Sequence, residues 1–455
     1  MKEIVAVILA AGKSTRMKTK TPKILHEIMG KPMIDYVLQA TQGAGVTRNI
    51  VVIGHEKEKI KDYLKDTVLY AEQNQQLGTA HAVLQALPHL SDFHGDLMVV
   101  CGDMPLLSEN TLKEFALNHK NKNAKVSLLT AIMEDPARLG RIIRGRNGTV
   151  KAIVEAADAT DEQLLIKEVN TGTYIFDIDY LRELLPEISS DNAQNELYLT
   201  DSIELSQKKN ISVEATVCKD SLESLGVNNR VQIALAARVI KERINNQFMM
   251  EGVTIMDPST TYIEASVRIG SDTLILPQTM ISGKTLIKTG CTIGPNTHIE
   301  NCRIGENVEI RESVLSESEI GDNCKIGPFA HIRPGTRLAE KVKIGNFVET
   351  KKSVINTNTK VSHLSYIGDA TLGKNVNIGA GTITCNYDGV RKNPTTIEDG
   401  VFIGSNSSLV APIKIGEGAA TGAGAVATKD IPPYKLAVGQ PARAIKTLKR
   451  HQGDG

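Results

Sequence analysis

The chain has 455 residues, 41% of them apolar and 23% charged, which excludes disorder as the default and allows two or three domains. With 53 basic against 52 acidic residues the net charge is +1, which argues against a broad nucleic-acid footprint and favours small phosphate ligands. Six cysteines (Cys101, Cys218, Cys291, Cys302, Cys324 and Cys385) form no C-x-x-C pair, so neither a disulfide framework nor a zinc knuckle is expected.

The opening MKEIVAVILAAGKSTRM carries an apolar run from Ile4 to Ala11 that is brief, and Lys13 and Arg16 follow at once. It reads as a buried strand entering a phosphate loop rather than as a signal segment. No other run approaches the ~20 apolar residues of a membrane span. A soluble, cytoplasmic protein is expected.

IVAVILA (4–10), NIVVIG (49–54) and DLMVVCGD (96–103) are continuous aliphatic runs, the pattern of strands covered on both faces. Between them, KPMIDYVLQAT and GTAHAVLQALPHL have apolar residues at helical spacing. Alternating strands and helices predict a Rossmann-like α/β domain with a mostly parallel sheet and ligands at the carboxyl ends of its strands.

In LAAGKSTRM, small residues at Ala10, Ala11 and Gly12 let a nucleotide approach backbone N–H groups, while Lys13 and Arg16 add positive charge. It is not a Walker loop, because Val7 stands where the first Gly is required, and G-x-G-x-x-G is absent. Alone, it reads equally as a tight strand-to-helix turn. TPKIL adds Lys23 as a second cation, and QNQQLGTAHA offers amides and Gly78-Thr79 at a helix start. In CGDMPL, Asp103 suits a Mg²⁺ ion on substrate phosphates, although an isolated Asp there also reads as a cap or turn residue.

Together, LAAGKSTRM, TPKIL, QLGTA and CGDMP resemble the sugar-nucleotide pyrophosphorylases, and the likeness extends through LGRIIR, VEAADAT, EVNTGTY and GVNNR. The resemblance implies that Leu9, Ala10, Ala11, Gly12, Lys23, Gln73, Gly78, Thr79, Gly140, Glu155, Asn170 and Asn228 line a uridine and sugar pocket. It also implies Asp103 and Asn228 as Mg²⁺ ligands and Arg16 as the cation on the triphosphate.

Asn228 to Met250 reads as one long connecting helix, with Val231, Leu235, Val239 and Ile240 on one face. Beyond it the texture changes to a period of six. Ile269, Ile275, Ile281, Ile287, Ile293 and Ile299 form one phase; Ile320, Ile326, Ile332, Leu338 and Ile344 a second; Ile397, Ile403, Leu409, Ile415, Thr421 and Ala427 a third. Aliphatic residues pointing into a narrow core, with Gly, Asn and Asp at positive-φ corners, predict a parallel β-helix of hexapeptide repeats. TITCNYDGVRKNPTT (382–396) interrupts the hexads as a polar, basic bulge, and a loose tail is expected from Lys446.

A hexapeptide coil can be scaffold alone, yet Arg333, Lys351, His363, Tyr366, Asn377, Ala380, Asn386 and Tyr387 crowd around that bulge. Two cations suit a sugar phosphate, and His363 is the natural base for an amine attacking a thioester. Zinc on His298, His331 and His363 is disfavoured, since these lie about two coils apart along the axis.

With both halves in hand, the chain resembles the bacterial bifunctional N-acetylglucosamine-1-phosphate uridyltransferase / glucosamine-1-phosphate N-acetyltransferase family. GNFVETKKS, HLSYIGDA and NIGAGTITCNYDG are the most specific stretches. The resemblance implies a left-handed β-helix, a homotrimer and an acetyl-CoA site between neighbouring subunits. It implies His363 as the proton acceptor and Arg333, Lys351, Tyr366 and Asn377 on the sugar phosphate. Ala380, Asn386, Tyr387, Ser405, Ala423 and Gln440 then lie along the coenzyme. The family's Arg near the C-terminus falls on Gln440 here, and Arg443 could supply the charge instead. The implied substrates are UTP, N-acetylglucosamine 1-phosphate, glucosamine 1-phosphate and acetyl-CoA, with no nucleic-acid or membrane partner. Expected limits are 1–230 for the uridylyltransferase, 231–251 for the helical linker and 252–455 for the acetyltransferase. Two rivals stand beside this reading: a single-activity pyrophosphorylase with a structural β-helix, and a non-enzymatic assembly subunit.

Overall fold

A computed structural model describes residues 2–13 and 15–447. The chain forms two compact units, Met1–Ile240 and Lys241–Gly455.

In the first unit the aliphatic runs become the strands Ile4–Leu9, Arg48–Ile53 and Asp96–Cys101. Ile4–Leu9 lies parallel to both of the others, and Arg48–Ile53 is followed outward by the parallel strand Leu69–Glu72. Side chains alternate across the sheet. Val5, Val7, Ile50, Val52, Leu97 and Val99 enter one core, while Ala6, Ile8, Val51, Ile53, Met98 and Val100 enter the other. Burial on both faces is why these strands read as unbroken apolar runs. The helices Met33–Gly43 and Thr79–Ala86 connect them. Glu168–Asp177 runs antiparallel between Asp96–Cys101 and Val126–Ile132, and Val213–Val217 closes the far edge in parallel. The sheet is therefore mostly parallel with an antiparallel insertion.

The helix Arg230–Met250 starts two residues later than expected, and of the four residues expected on one face Ile240 is buried, Leu235 and Val239 are half-buried and Val231 is exposed. Its buried residues are Ala236, Ile240, Asn245 and Phe248, whereas Val231 is 79% exposed. Nine residues at about 100° each place Val231 half a turn away from Ile240, so the two cannot share a face. Among the described residues no helix is long and apolar enough to cross a membrane.

The second unit is a three-sided parallel β-helix of hexapeptide repeats, with the left-handed coil of its class. One column of inward residues runs in register through Ile275, Ile293, Ile310, Ile326, Ile344, Val361, Ile378 and Ile403. Every residue of the three predicted phases, including Thr421, is buried. Slips between the phases are absorbed at the corners, so the core column stays continuous.

Corner chemistry is broader than expected. Asn296, Asn323 and Asn406 take positive φ, but so do Phe329 (60°), Phe347 (56°) and Leu364 (50°). Bulky side chains are costly in that region. The tail expected from Lys446 begins as the end of the strand Ala442–Thr447, and 448–455 lies outside the described residues.

Candidate active sites

In the first unit the chain runs outward from Ile4–Leu9 to Arg48–Ile53 and Leu69–Glu72, then returns to the other side of Ile4–Leu9 with Asp96–Cys101. That reversal opens a crevice at the carboxyl ends of those two strands, the usual ligand position in such sheets. Two adjoining cavities of about 300 and 260 Å³ lie there. Leu9, Ala10, Ala11, Gly12, Lys23, Gln73, Gly78 and Thr79 line the first. Gly140, Glu155, Asn170 and Asn228 line the second, and Leu9, Thr79, Cys101 and Asp103 border both.

Gly78 sits at φ 114° just before Thr79–Ala86, and a Cβ there would come within 2.4 Å of the Leu197 carbonyl oxygen. Only glycine lets the helix start approach that backbone so closely. Gln73 is buried and donates through Nε2 to the Gly78 carbonyl and to His81 Nδ1, each at 3.0 Å. Both amide hydrogens are thereby used, which leaves Oε1 as the polar atom for a ligand. Asn170 donates to the Tyr174 hydroxyl at 2.7 Å and accepts from the Gly172 N–H at 3.0 Å. Burial raises the pKa of Glu155, which accepts from the Thr200 hydroxyl at 3.4 Å. Burial likewise pushes the Cys101 thiol up to about 12, so it is a neutral wall of both cavities.

The cations converge on two oxygens. Lys23 Nζ donates to Asp103 Oδ2 and, at 3.0 Å, to Asn228 Oδ1; Arg16 Nη2 donates to the same Asn228 oxygen at 2.9 Å. A carboxylate and a carboxamide oxygen aimed at one positive charge form the hard, oxygen-only donor set that suits Mg²⁺ together with substrate phosphates. His81, Tyr174 and Thr200 escaped the sequence reading, because their contacts with the cavity residues depend on packing rather than on a motif.

In the second unit the predicted residues fall on two adjacent sheets of the coil. His331–Ile332, Glu349–Lys351, Tyr366–Gly368 and Ile383–Cys385 stack in one sheet. Arg333 Nη1 donates to Glu349 Oε1 at 2.6 Å, and Glu349 is in register with Tyr366. Asn386 Nδ2 donates to Asp369 Oδ2 at 2.6 Å and reaches the Tyr366 hydroxyl at 3.4 Å. A Cβ on Gly368 would meet that hydroxyl at 2.4 Å, so glycine is what admits the Tyr366 side chain. Lys351 is half-buried, in register with Gly368.

The adjacent sheet carries the other group. His363 is exposed and in register with Asn346, and its Nδ1 lies 2.6 Å from Asn346 Oδ1. With the proton on Nδ1, the Nε2 lone pair is free. Asn377 follows one coil later, in register with Lys360. Ala380, Ser405 and Ala423 come just after successive strands of this sheet, and the Gln440 amide donates to the Gly424 carbonyl at 2.9 Å. Arg443 is exposed opposite Val438 in the closing hairpin. Tyr387 lies in the bulge, 55% exposed, with Lys392 Nζ 4.6 Å from its ring centroid. His298 and His331 are separated by the Val314 coil, and His363 belongs to the neighbouring sheet. Asn346, Glu349 and Asp369 were not anticipated; only the coil register relates them to His363, Arg333 and Asn386.

The two units define a class: a nucleotidyltransferase sheet carrying a hexapeptide-repeat transferase coil. A model of the MobA-like NTP transferase domain matches residues 6–169, and one of the bacterial transferase hexapeptide (six repeats) matches 317–352 and 394–429. Among similar chains, the bifunctional protein GlmU of Heliobacterium modesticaldum is 50% identical over 98% of both chains. That of a Geobacillus species is 49% identical over 99% of this chain and 97% of its own, and that of Thermotoga petrophila 49% over 97% of both. The protein belongs to the bifunctional GlmU family. It is a two-activity enzyme of UDP-N-acetylglucosamine synthesis, a nucleotidyltransferase and an acetyltransferase in one chain. Membership brings a divalent metal and acetyl-CoA in general terms.

Proposed function

We propose that each unit carries one of the two reactions and that the residues gathered above perform it. The carrying observation is the convergence of Arg16, Lys23, Asp103 and Asn228 at the sheet's reversal point, beside two adjoining cavities.

In the first unit, a phosphate oxygen of N-acetylglucosamine 1-phosphate attacks the α-phosphorus of UTP. The bond to the bridging oxygen breaks and pyrophosphate leaves in line. Leu9 to Gly12 lie against the nucleotide, and Gln73 Oε1 accepts from the base. Gly78 and Thr79 close over it at the helix start. Gly140, Glu155 and Asn170 hold the sugar, and Arg16 and Lys23 stabilise charge on the phosphates. Asp103 and Asn228 would hold Mg²⁺, which would supply charge neutralisation for the phosphates.

In the second unit, the amine of glucosamine 1-phosphate attacks the acetyl-CoA carbonyl carbon. The C–S bond breaks, the CoA thiolate leaves, and the amine proton passes to His363 Nε2. Asn346 holds the tautomer this requires. Arg333 and Lys351 bind the phosphate with Tyr366 and Asn377. Ala380, Asn386, Tyr387, Ser405, Ala423 and Gln440 lie along the coenzyme. Gln440 carries no charge, and the exposed Arg443 supplies it there.

We further propose a cytoplasmic homotrimer in which the coenzyme lies between subunits. Its support is the exposed ridge of Phe329, Phe347 and Leu364, 53%, 56% and 62% exposed, on the corner beside His363. The two Phe rings stack at 5.2 Å, and such side chains at positive φ need a compensating contact. The working division is 1–230, 231–251 and 252–455.

Two release assays on the full chain test this. Pyrophosphate should appear from UTP and N-acetylglucosamine 1-phosphate with Mg²⁺, and free CoA thiol from acetyl-CoA and glucosamine 1-phosphate. Silence in either assay contradicts the matching half.

A further inference from the structure

We infer that Lys23 is a resident counter-ion that occupies the metal seat until a triphosphate draws it away, so that metal and nucleotide bind with positive coupling. The inference rests on reading Asp103 and Asn228 as that seat.

Both donor oxygens are already engaged. Lys23 Nζ bonds Asp103 Oδ2 and lies 3.0 Å from Asn228 Oδ1, which also accepts from Arg16 at 2.9 Å. Asn228 is fixed in that orientation, because its Nδ2 donates to the Gly226 carbonyl at 3.2 Å and its backbone N–H to Gln232 Oε1 at 2.7 Å. Two donors on Oδ1 fill its lone pairs. The Lys23 and Asp103 side chains are only 19% and 18% exposed, so their charges are screened weakly by water.

A divalent cation bonding the same oxygens at about 2 Å would stand within a few ångströms of the ammonium, two like charges in a sheltered crevice. One of them has to leave. Without nucleotide, the ammonium gives up a carboxylate and gains only solvent. With nucleotide, the phosphates beside Gly12 offer Lys23 and Arg16 new anionic partners, and the two oxygens are released to the metal. Linkage makes the effect reciprocal: whatever tightens metal binding in the presence of nucleotide tightens nucleotide binding in the presence of metal. The enzyme thus avoids holding a bare metal ion that would pair with pyrophosphate or other anions.

The test uses Mn²⁺ as a paramagnetic probe, with free ion counted by electron paramagnetic resonance on the full-length chain. Wild type should bind Mn²⁺ weakly without nucleotide, and Lys23→Met should tighten that binding by about tenfold or more, in the range of ordinary site–site coupling. Lys23→Arg, which keeps the charge, should stay as weak as wild type. Equal or weaker binding in folded Lys23→Met overturns the inference, even if Asp103→Asn still weakens Mn²⁺ binding with a non-hydrolysable UTP analogue present. If Asp103→Asn leaves Mn²⁺ affinity untouched with and without the analogue, the metal seat itself is wrong. Unfolding transitions of each variant, compared with wild type, keep a folding failure from being read as either result.

Discussion

Asp201, at the start of the helix Asp201–Lys208, has its pKa raised from 3.8 to about 6 by burial, with Glu204 and Asp158 adding repulsion. Between those values the folded protein holds more protons than the unfolded chain, so stability falls as pH rises through that window. Above it the full penalty applies. Asp201→Asn should therefore stabilise the first unit by about 1 kcal/mol at pH 7.5, after allowance for solvent screening, and should have no effect near pH 3. Thermal unfolding at the two pH values reads this directly; equal shifts at both contradict it. Asn346→Ala should lower kcat for acetyl transfer about tenfold with KM for both substrates unchanged, since it frees the His363 ring without removing a substrate contact. At this scale the sequence was informative where contiguous residues line a cavity, as Leu9 to Gly12 do. It was silent on Asn346, because that partner lies 17 residues before His363 and meets it only when coils stack in register.

At the scale of elements, the hexads were legible because an inward aliphatic residue on each short strand is a strong periodic signal. The corners were not. A positive φ at Asn or Gly follows from residue type, but at Phe329, Phe347 and Leu364 it is imposed by the fold against residue preference. The connecting helix was legible in existence and only partly in phase, since Ile240 is buried as its spacing suggests while Val231 is exposed. Stacked coils contact only their neighbours, so damage should stay local. Ile344 is fully buried in the inward column that runs from Ile275 to Ile403. Ile344→Ala should cost the β-helix about 2–5 kcal/mol and leave the unfolding of the first unit in place. Differential scanning calorimetry, with acetyl transfer lost at a lower temperature than pyrophosphate release, is the expected pattern. A joint shift of both transitions contradicts it.

For the whole molecule, assembly and acetyl transfer should fail together. Phe347→Asp puts a charge on the exposed ridge, where a monomer tolerates it and a subunit contact does not. Analytical ultracentrifugation should show dissociation to smaller species, with acetyl transfer lost and pyrophosphate release kept; an intact trimer with full acetyl transfer contradicts the intersubunit site. Paired assays of His363→Ala and Arg16→Ala test most directly whether one polypeptide carries two chemically independent centres. His363→Ala should lose acetyl transfer by about 10²–10⁴-fold and keep uridylyl transfer. Arg16→Ala should do the reverse, losing about 10²-fold or more on the uridylyl side. A folded variant of either kind that loses both activities would contradict that independence.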